Sequence, residues 1–186
     1  MTTDNGELVI TQHGPEGLRE LKEQLLDVYR EVYAERLSNP FFTPERFWER
    51  LEAYGSSDGF RLVTASVGGE LVGFSLGETL SQRSRWWSGF LGEADPELLR
   101  ETGTRTFAIN ELIVRPTWRR RGFARALTRS LLAGRPEERA TLLVRAENEP
   151  AWAAYRTWGF RTIGQVKPFA DSPLYEALVL ALPWNG

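Results

Sequence analysis

The stretch Glu111-Leu-Ile-Val-Arg-Pro-Thr-Trp-Arg-Arg-Arg-Gly-Phe-Ala-Arg-Ala-Leu127 decides how this chain folds. It predicts a strand rich in β-branched residues, a short loop and an amphipathic helix that begins around Gly122 and Ala124. Because these two residues have little or no side chain, the backbone N–H groups at the helix start are accessible to a phosphate anion. The positive charge nearby comes from five arginines, Arg115, Arg119, Arg120, Arg121 and Arg125. The stretch therefore predicts a site for a phosphate-bearing ligand.

The sequence on either side alternates strand and helix patterns. A strand at 106–115, a helix at 122–133 and a strand at 140–145 predict a βαβ unit, whose strands should be parallel neighbours because such crossovers are right-handed. The other strands should pair antiparallel, and one hairpin should turn at Gly68-Gly69. The elements predicted outside the unit are strands at 8–11, 60–67, 70–78, 160–166 and 175–182, and helices at 16–37, 44–54 and 149–158.

Composition restricts the chemistry. The 186 residues fit one domain over 1–186, of the α/β class with a mixed sheet. Since the chain has no cysteine, it has no disulfide, Cys-ligated zinc, iron–sulfur cluster or thiol nucleophile. The one histidine, His13, lies in a predicted turn, so we expect no metal site.

Charge and hydropathy bear on partners and location. The net charge of −2 argues against a nucleic-acid partner, and no apolar run is long enough to suggest a membrane partner. Residues 1–7 lack the basic and apolar regions of a signal peptide, which predicts a cytoplasmic location.

A second motif follows downstream, Asn148-x-x-Ala151-x-x-Ala154-Tyr155-x-x-x-Gly159-Phe160. Together with Arg119-x-x-Gly122-x-Ala124, in this order, it resembles the GNAT superfamily of acyl-CoA-dependent N-acyltransferases over about residues 60–182. The resemblance implies a mostly antiparallel seven-stranded sheet with helices on both faces. It also implies a central parallel pair that splays apart, and it leaves an aromatic, charged insertion at 80–105 between the third and fourth strands.

The resemblance implies acetyl-CoA as the cofactor. The three glycines of a Rossmann turn and the Gly-Lys-Ser/Thr of a Walker loop are both absent. The pyrophosphate would lie on the turn before the helix, and backbone groups of residues 112 and 114 would pair with the pantetheine arm. Asn148 would contact that arm or serve only as a helix N-cap. The cofactor-binding residues implied are Leu112, Ile113, Val114, Arg119, Arg120, Arg121, Gly122, Phe123, Ala124, Arg125, Asn148, Ala151 and Tyr155.

Two residues are predicted to act on protons. Tyr155 matches the family tyrosine that protonates the departing sulfur; the alternative is a structural tyrosine packed on the sheet. Glu111 lies inside an apolar strand, where a carboxylate is costly unless it faces solvent or a functional cleft. We expect it to be the general base; the alternative is a salt bridge to a neighbouring arginine. Glu147 is the second candidate for the base.

The acceptor side is less well specified by the sequence. Phe42 and the adjacent pair Trp86 and Trp87 are the candidates for contact with it, and four acidic residues of the insertion, Glu93, Asp95, Glu97 and Glu101, favour a cationic amine. We predict an N-acetyltransferase that acts on a small-molecule amine by direct attack in a ternary complex. Acetylation of protein or peptide N-termini, a non-catalytic acyl-CoA sensor and a homodimer remain open.

Overall fold

The computed structural model describes residues 6–186. Residues 1–5, which belong to the segment argued to lack a signal peptide, lie outside the described part. The elements in chain order are β1 (Leu8–His13), α1 (Pro15–Glu20), α2 (Lys22–Val32), α3 (Pro44–Gly55), β2 (Arg61–Val67), β3 (Glu70–Thr79), β4 (Phe90–Leu91), α4 (Pro96–Leu99), β5 (Thr106–Val114), α5 (Phe123–Leu132), β6 (Arg139–Arg145), α6 (Glu149–Thr157), β7 (Arg161–Val166) and β8 (Tyr175–Ala181). Short 3₁₀ turns lie at Ala34–Arg36, Pro40–Phe42 and Pro116–Trp118.

The predicted βαβ unit is confirmed. β5 and β6 are parallel neighbours, in register from Thr106 opposite Arg139 to Ile109 opposite Leu142. The pairs β1–β2, β2–β3, β6–β8 and β7–β8 are antiparallel. The β2–β3 turn at Gly68 and Gly69 has positive φ at both residues, 58° and 84°, as a two-residue hairpin turn requires. The fold is therefore the mixed α/β sheet that the sequence predicts.

The sheet has one strand more than the seven predicted. Its order is β1-β2-β3-β5-β6-β8-β7-β4. The extra strand, β4, is a two-residue piece of the insertion that pairs with β7, Phe90 opposite Val166 and Leu91 opposite Gln165. Two residues are too few for an alternating pattern, so this strand could not be predicted from periodicity.

The prediction of one continuous helix at 16–37 is wrong, because this segment forms two helices and a 3₁₀ turn. Leu21 ends α1 and starts α2 with ψ of 7°, and α2 stops at Val32 before a 3₁₀ turn. The break leaves Leu18 and Leu25 buried on the same side, so the apolar period runs through it without interruption. The second helix is confirmed as α3, with the Thr43 side chain accepting from Arg46 N at its start.

Contacts within the chain define two units. The first runs up to Glu78 and includes Glu111–Leu131, and the second comprises Thr79–Asn110 and Leu132–Gly186. The first unit has a core of helix and sheet residues that includes Leu25, Val28, Tyr29, Phe47, Leu51, Leu62, Phe74 and Ile113. The second has a core cluster of Trp87, Val166, Ala177 and Val179. No helix in residues 6–186 combines the length and apolar character needed to cross a membrane.

The first unit makes one prediction about close packing. A Cβ on Gly73 of β3 would lie 2.7 Å from the Ile113 carbonyl oxygen and 3.2 Å from Val114 Cα, both backbone atoms of β5. Because backbone cannot move aside as a flexible side chain can, we expect Gly73→Ala to lower the free energy of unfolding by about 1–3 kcal/mol. Urea denaturation measures the loss.

Gly14→Ala is the matched control. Gly14 has a φ of −91°, which any residue adopts, and a Cβ there meets no atom within 4 Å. Its unfolding midpoint should stay close to that of the wild type. Equal midpoints for both variants and the wild type would contradict the close approach at Gly73.

Candidate active site

The turn before α5 has the backbone of an anion site. Arg120 and Gly122 both have positive φ, 63° and 82°, and such turns aim successive N–H groups into one concavity. The first hydrogen bond of the helix runs from Ala126 N to Gly122 O, so the N–H groups before Ala126 have no acceptor within the helix. A Cβ on Gly122 meets no atom within 4 Å. A glycine is therefore favoured at position 122 because of its positive φ, and not because a side chain would clash, since the space beside it is open.

The arginines predicted to surround this turn have different roles. Arg120 and Arg125 are exposed, and within residues 6–186 neither forms an ion pair. The Arg121 guanidinium lies over the Trp118 ring, 4.7 Å from its centroid, and Arg119 Nε donates to the Val114 carbonyl at 3.1 Å. The latter bond occupies one acceptor position of a carbonyl that the sequence analysis had assigned to the pantetheine arm.

Arg115 does not belong to the anion site, contrary to expectation. Its guanidinium pairs with Asp27 at 2.9 Å, with Glu31 and, at 3.7 Å, with Glu70, and it donates to the Leu71 carbonyl at 2.8 Å. Its own backbone N donates to Val72 O. Three carboxylates neutralise its charge, so it joins α2 to β3 and to the end of β5. The sequence shows the cluster of arginines, but it does not show which of them has acidic partners in other elements.

Leu112, Ile113 and Val114 lie on β5 as predicted. Leu112 is half-buried, and Ile113 and Val114 are buried. The register of β5 with β6 ends at Ile109 and Leu142, although β5 continues to Val114 and β6 to Arg145. The splaying of the two strands that the resemblance implies stays a prediction.

The second motif lies in the second unit, at the start of α6. Asn148 occupies the N-cap position of this helix, although its side chain makes no capping hydrogen bond within residues 6–186, and its contact with the pantetheine arm stays a prediction. Ala151 and Tyr155 are half-buried on α6. The Tyr155 ring packs edge-on against Trp158 and Phe160, with centroids 5.5 and 5.7 Å away.

Glu111 is the most perturbed carboxyl near the predicted site. Burial raises its pKa to about 7, and the Arg50 guanidinium opposes part of that rise. No ion pair forms between Glu111 and an arginine within residues 6–186, so the salt-bridge alternative is wrong. Its neighbour Tyr29 has its pKa raised by burial and by the Glu111 charge. A carboxyl whose pKa lies near neutrality can both accept and release a proton under physiological conditions.

Glu147, the second candidate for the base, has a different environment. It is exposed and lies 3.5 Å from Arg145 Nη1. Glu147 therefore lacks the burial that raises the pKa of Glu111. The structure therefore favours Glu111.

The sequence model of the acetyltransferase (GNAT) family matches residues 22–160. The chain belongs to this family. Its enzymatic class is therefore that of an acyltransferase, and the predicted fold and family resemblance are confirmed.

Relatives of this GNAT acetyltransferase differ in what their names say they act on. The GCN5-like protein acetyltransferase Rv2170 of Mycobacterium tuberculosis (strain ATCC 25618 / H37Rv) is 34% identical over 104 residues, which are 51% of this chain and 50% of that protein. The match thus spans about half the length of that relative.

Solved structures share the fold at lower identity. The aminoglycoside 6'-acetyltransferase type Ii is 17% identical with a TM-score of 0.63, over 93% of this chain and 96% of that one. The PaiA N-acetyltransferase of Thermoplasma acidophilum, solved with coenzyme A, is 12% identical with a TM-score of 0.57, over 94% and 99%. These two likenesses show the fold alone.

An aromatic column lies in the first unit of the GNAT chain. Tyr29 stacks on Phe47 at 3.8 Å and on Tyr33 at 4.6 Å, and Tyr33 stacks on Phe42 at 5.6 Å. Tyr29 Oη donates to the Phe42 carbonyl at 3.1 Å. Phe42, predicted to contact the acceptor, is buried at 6% exposure and acts as packing in this column.

The tryptophan pair was assigned to the acceptor, and for Trp87 this is wrong. Trp87 is 8% exposed, and its Nε1 donates to Glu101 Oε1 at 2.8 Å. Glu101 also pairs with Arg139 at 3.0 Å, so a buried ionic network holds Trp87 in the core. Trp86 is half-buried and packs edge-on against Trp87, with its own indole N–H buried and without a hydrogen-bond partner.

The acidic residues of the insertion were expected to favour a cationic amine, and most of them have structural partners instead. Glu101 is buried and paired with Arg139, Glu97 pairs with Arg100 at 2.9 Å, and Asp95 accepts from Glu97 N at the start of α4. These three acids have partners within the protein, so they give no support for a cationic acceptor, and Glu93, the fourth acid, is exposed. Within residues 6–186 no group of three or more His, Asp or Glu residues has a metal-binding arrangement.

Sequence reasoning missed Arg50 and Tyr29. Arg50 Nη1 donates to the Phe41 carbonyl at 3.3 Å, and its guanidinium lies over the Phe41 and Phe47 rings at 5.0 and 5.7 Å. Both residues influence Glu111 although they are more than sixty positions away in the sequence. No local sequence pattern signals such a long-range electrostatic interaction.

The raised pKa of Glu111 predicts a cost to stability. The folded chain keeps a proton on Glu111 up to about pH 7, whereas the unfolded chain loses it near the ordinary value of 4.5. The unfolding free energy due to this group therefore falls as pH rises between these values. Glu111→Gln should be more stable than the wild type above about pH 7, by about 1–3 kcal/mol, and the gain should vanish below about pH 4.5.

Urea denaturation at several pH values measures this difference. Glu147→Gln removes an exposed carboxylate from the next parallel strand end and serves as the control, with little change at any pH. A stability gain for Glu111→Gln that does not vary with pH would contradict the assigned titration.

Proposed function

We propose that this acyltransferase transfers the acetyl group of acetyl-CoA to the primary amine of a small molecule, by direct attack in a ternary complex. The observation that carries the proposal is Glu111, a half-buried carboxyl with a pKa of about 7 on the strand that also carries Leu112–Val114. That pKa matches what general-base catalysis at neutral pH requires.

The chain's residues fit coenzyme A at the anion site. The positive φ values of Arg120 and Gly122, the open space at Gly122 and the helix of ten residues behind it suit a pyrophosphate. The N–H groups of residues 123–125 would hold the phosphates, with Arg120 and Arg125 adding charge. Backbone groups of Leu112 and Val114, with the Asn148 amide, would hold the pantetheine arm. Bound there, acetyl-CoA supplies an acetyl thioester.

Glu111 acts on the amine. An alkylamine with a pKa near 10.4 is neutral in only about one molecule in 2,500 at pH 7, which costs roughly 4.6 kcal/mol. Above pH 7 the Glu111 carboxylate is ionised and accepts the ammonium proton, directly or through one water. Tyr155 donates its phenolic proton to the departing sulfur, since a phenol remains protonated at neutral pH. The second proton, which the nitrogen releases as the amide forms, passes through water to the phenolate and restores it.

A second candidate acceptor is the N-terminal amine of a protein or peptide. It is favoured by the name of the Mycobacterium tuberculosis relative, a protein acetyltransferase that shares 34% identity over about half its length. The sensor alternative is not retained, because family membership makes the chain an acyltransferase. The small-molecule acceptor is preferred because Glu111 is half-buried, which restricts the approach of a bulky acceptor to its carboxyl group.

Loss of the anion site should abolish cofactor binding. Gly122→Glu places a negative charge at the open face of the turn and a side chain on a residue with φ of 82°. We expect calorimetry to detect no binding of coenzyme A, a loss of at least about 100-fold, because phosphate and carboxylate repel in the same concavity.

Gly134→Glu is the matched control for this substitution. Gly134 also has positive φ, 66°, and a Cβ there also meets no atom within 4 Å, but it follows the opposite end of α5. The variant has equal backbone strain and equal charge, and its affinity for coenzyme A should match the wild type. Unchanged affinity in Gly122→Glu would remove the anion-site assignment.

Tyr155→Phe should lower turnover without changing affinity for coenzyme A. Losing a positioned general acid costs about 10²–10⁴-fold in rate. The assay follows the release of coenzyme A from acetyl-CoA with a thiol-reactive dye, across panels of small amines and of peptides; the chain has no cysteine and contributes no thiol. Trp158→Phe, which alters a ring against Tyr155, is the control for packing.

The outcomes of this assay decide the proposal. Release that depends on a small amine supports it, and release that depends only on peptides supports the second candidate. If neither small amines nor peptides cause release of coenzyme A, although the protein still binds coenzyme A, both candidate functions are contradicted. Equal turnover of Tyr155→Phe and the wild type would remove Tyr155 from the mechanism.

A further inference from the structure

Tyr155, the proposed general acid, lies in the last turn of α6, and the way this helix ends fixes its backbone. Gly159 has a φ of 96°, and its N–H donates to the Arg156 carbonyl at 3.1 Å. The Phe160 N–H donates to the Tyr155 carbonyl at 3.0 Å, which completes a Schellman motif. The Tyr155 and Phe160 rings pack on each other across this motif, with centroids 5.7 Å apart. The motif therefore holds the Tyr155 backbone and gives its ring one aromatic contact.

Trp158, the residue at which α6 ends, gives the Tyr155 ring a second aromatic contact. The two rings meet edge-on, at an angle of 80° with centroids 5.5 Å apart. Every residue of α6 is half-buried or exposed, and Trp158 is half-buried as well. Because the core does not enclose the Trp158 ring, its position depends on what packs against its remaining surface.

Trp184 packs against Trp158 from the segment that follows β8. The two ring centroids are 5.9 Å apart and the rings are tilted by 41°. The backbone is fixed on both sides of Trp184, since Leu182 N donates to the Glu138 carbonyl at 2.9 Å, and a Cβ on Gly186 would overlap the Trp184 indole. All the residues of this arrangement belong to the second unit. The Trp184 ring is therefore a fixed support for Trp158.

The supported ring matters to the chemistry proposed for Tyr155. A general acid has to hold its proton within hydrogen-bond reach of the atom that receives it. Without the Trp184 ring, the Trp158 side chain gains rotational freedom, and one of the rings that hold the Tyr155 phenol becomes mobile. The family model ends at residue 160, so Trp184 lies outside the part of the chain that it matches.

We infer that Trp184 is a positioning residue for acetyl transfer: by packing on Trp158 it holds the Tyr155 phenol where the phenol donates its proton to the departing sulfur. The inference rests on the proposed function, because Trp184 acts through the proposed general acid. Trp184 itself neither gives nor takes a proton.

The first test measures turnover and cofactor binding of Trp184 variants. The assay is the release of coenzyme A from acetyl-CoA, with the amine or peptide of the two panels that the wild type uses fastest. Trp184→Ala should lower kcat about 10- to 100-fold, since a displacement of about 1 Å at a catalytic group has an effect of this size. The KM of the acceptor and the calorimetric affinity for coenzyme A should not change. Trp184→Phe keeps a ring against Trp158 and should restore most of the turnover.

The Tyr155→Phe background separates positioning from a general loss of packing. The phenol hydroxyl is absent there, so Trp184→Ala should cause no further fall in kcat. Equal factors in both backgrounds would show that Trp184 acts on the fold and not through Tyr155, and would overturn the inference. Leu99→Ala is the control for stability, because Leu99 is half-buried and packs against the core cluster of the same unit. Its thermal unfolding temperature should fall while its kcat stays at the wild-type value.

A measurement that needs no acceptor tests the contact itself. The chain has five tyrosines, so labelling with 3-fluorotyrosine gives five ¹⁹F resonances, and the one missing from Tyr155→Phe belongs to Tyr155. Trp184→Ala should shift or broaden this resonance, whereas Leu99→Ala should leave it in place. A Tyr155 resonance that is the same in Trp184→Ala and in the wild type would contradict the inference.

The outcomes distinguish the inference from the proposed function. If Trp184→Ala turns over as fast as the wild type, the inference is wrong and the function stands. A fall in its affinity for coenzyme A would assign Trp184 to the cofactor site and would also overturn the inference. If no amine or peptide is acetylated while coenzyme A binds, the proposed function fails and the inference fails with it, whatever the Tyr155 resonance shows.

Discussion

The guanidinium of Arg115 joins the elements on which the candidate site depends. It follows the last residue of β5 and bonds to carboxylates of α2, to Glu70 and to the Leu71 carbonyl of β3. The side chain is only 12% exposed, so its charge needs these partners. The end of β5 is thereby fixed to the helix that carries Tyr29, and the turn with Arg120 and Gly122 starts from a fixed point.

Glu111 shows how the same strand combines stability and chemistry. An alanine or leucine at this place in β5 would avoid the desolvation that raises the Glu111 pKa to about 7. Arg50 limits this rise but does not form an ion pair that would keep the carboxylate permanently charged. The carboxyl is thus both costly to bury and suited to accept a proton near neutral pH. Perturbed carboxyls of this kind are concentrated at functional sites.

The insertion illustrates the opposite use of charge. Glu101, Arg139 and Trp87 form a buried network with Thr106, which donates to Glu101 Oε1 at 3.0 Å. Among the buried side-chain polar atoms of the insertion, Glu101 Oε2 and the Trp86 indole nitrogen have no hydrogen-bond partner within residues 6–186. The aromatic and acidic residues that suggested an acceptor wall therefore serve mainly to hold the insertion on its own unit.

The sequence by itself determined the βαβ unit, the hairpin at Gly68-Gly69, the turn at Gly122 and the family, because each depends on neighbours along the chain: period, turn residues and motif spacing. It also identified Glu111, since a carboxylate in an apolar strand is a local anomaly. Only the tertiary structure decided which arginines have acidic partners, that Trp87 is buried, and that Arg50 and Tyr29 interact electrostatically with Glu111. These facts depend on contacts between residues far apart in the chain, and the hydrophobic pattern of a segment does not encode which charged residue of another element will meet it.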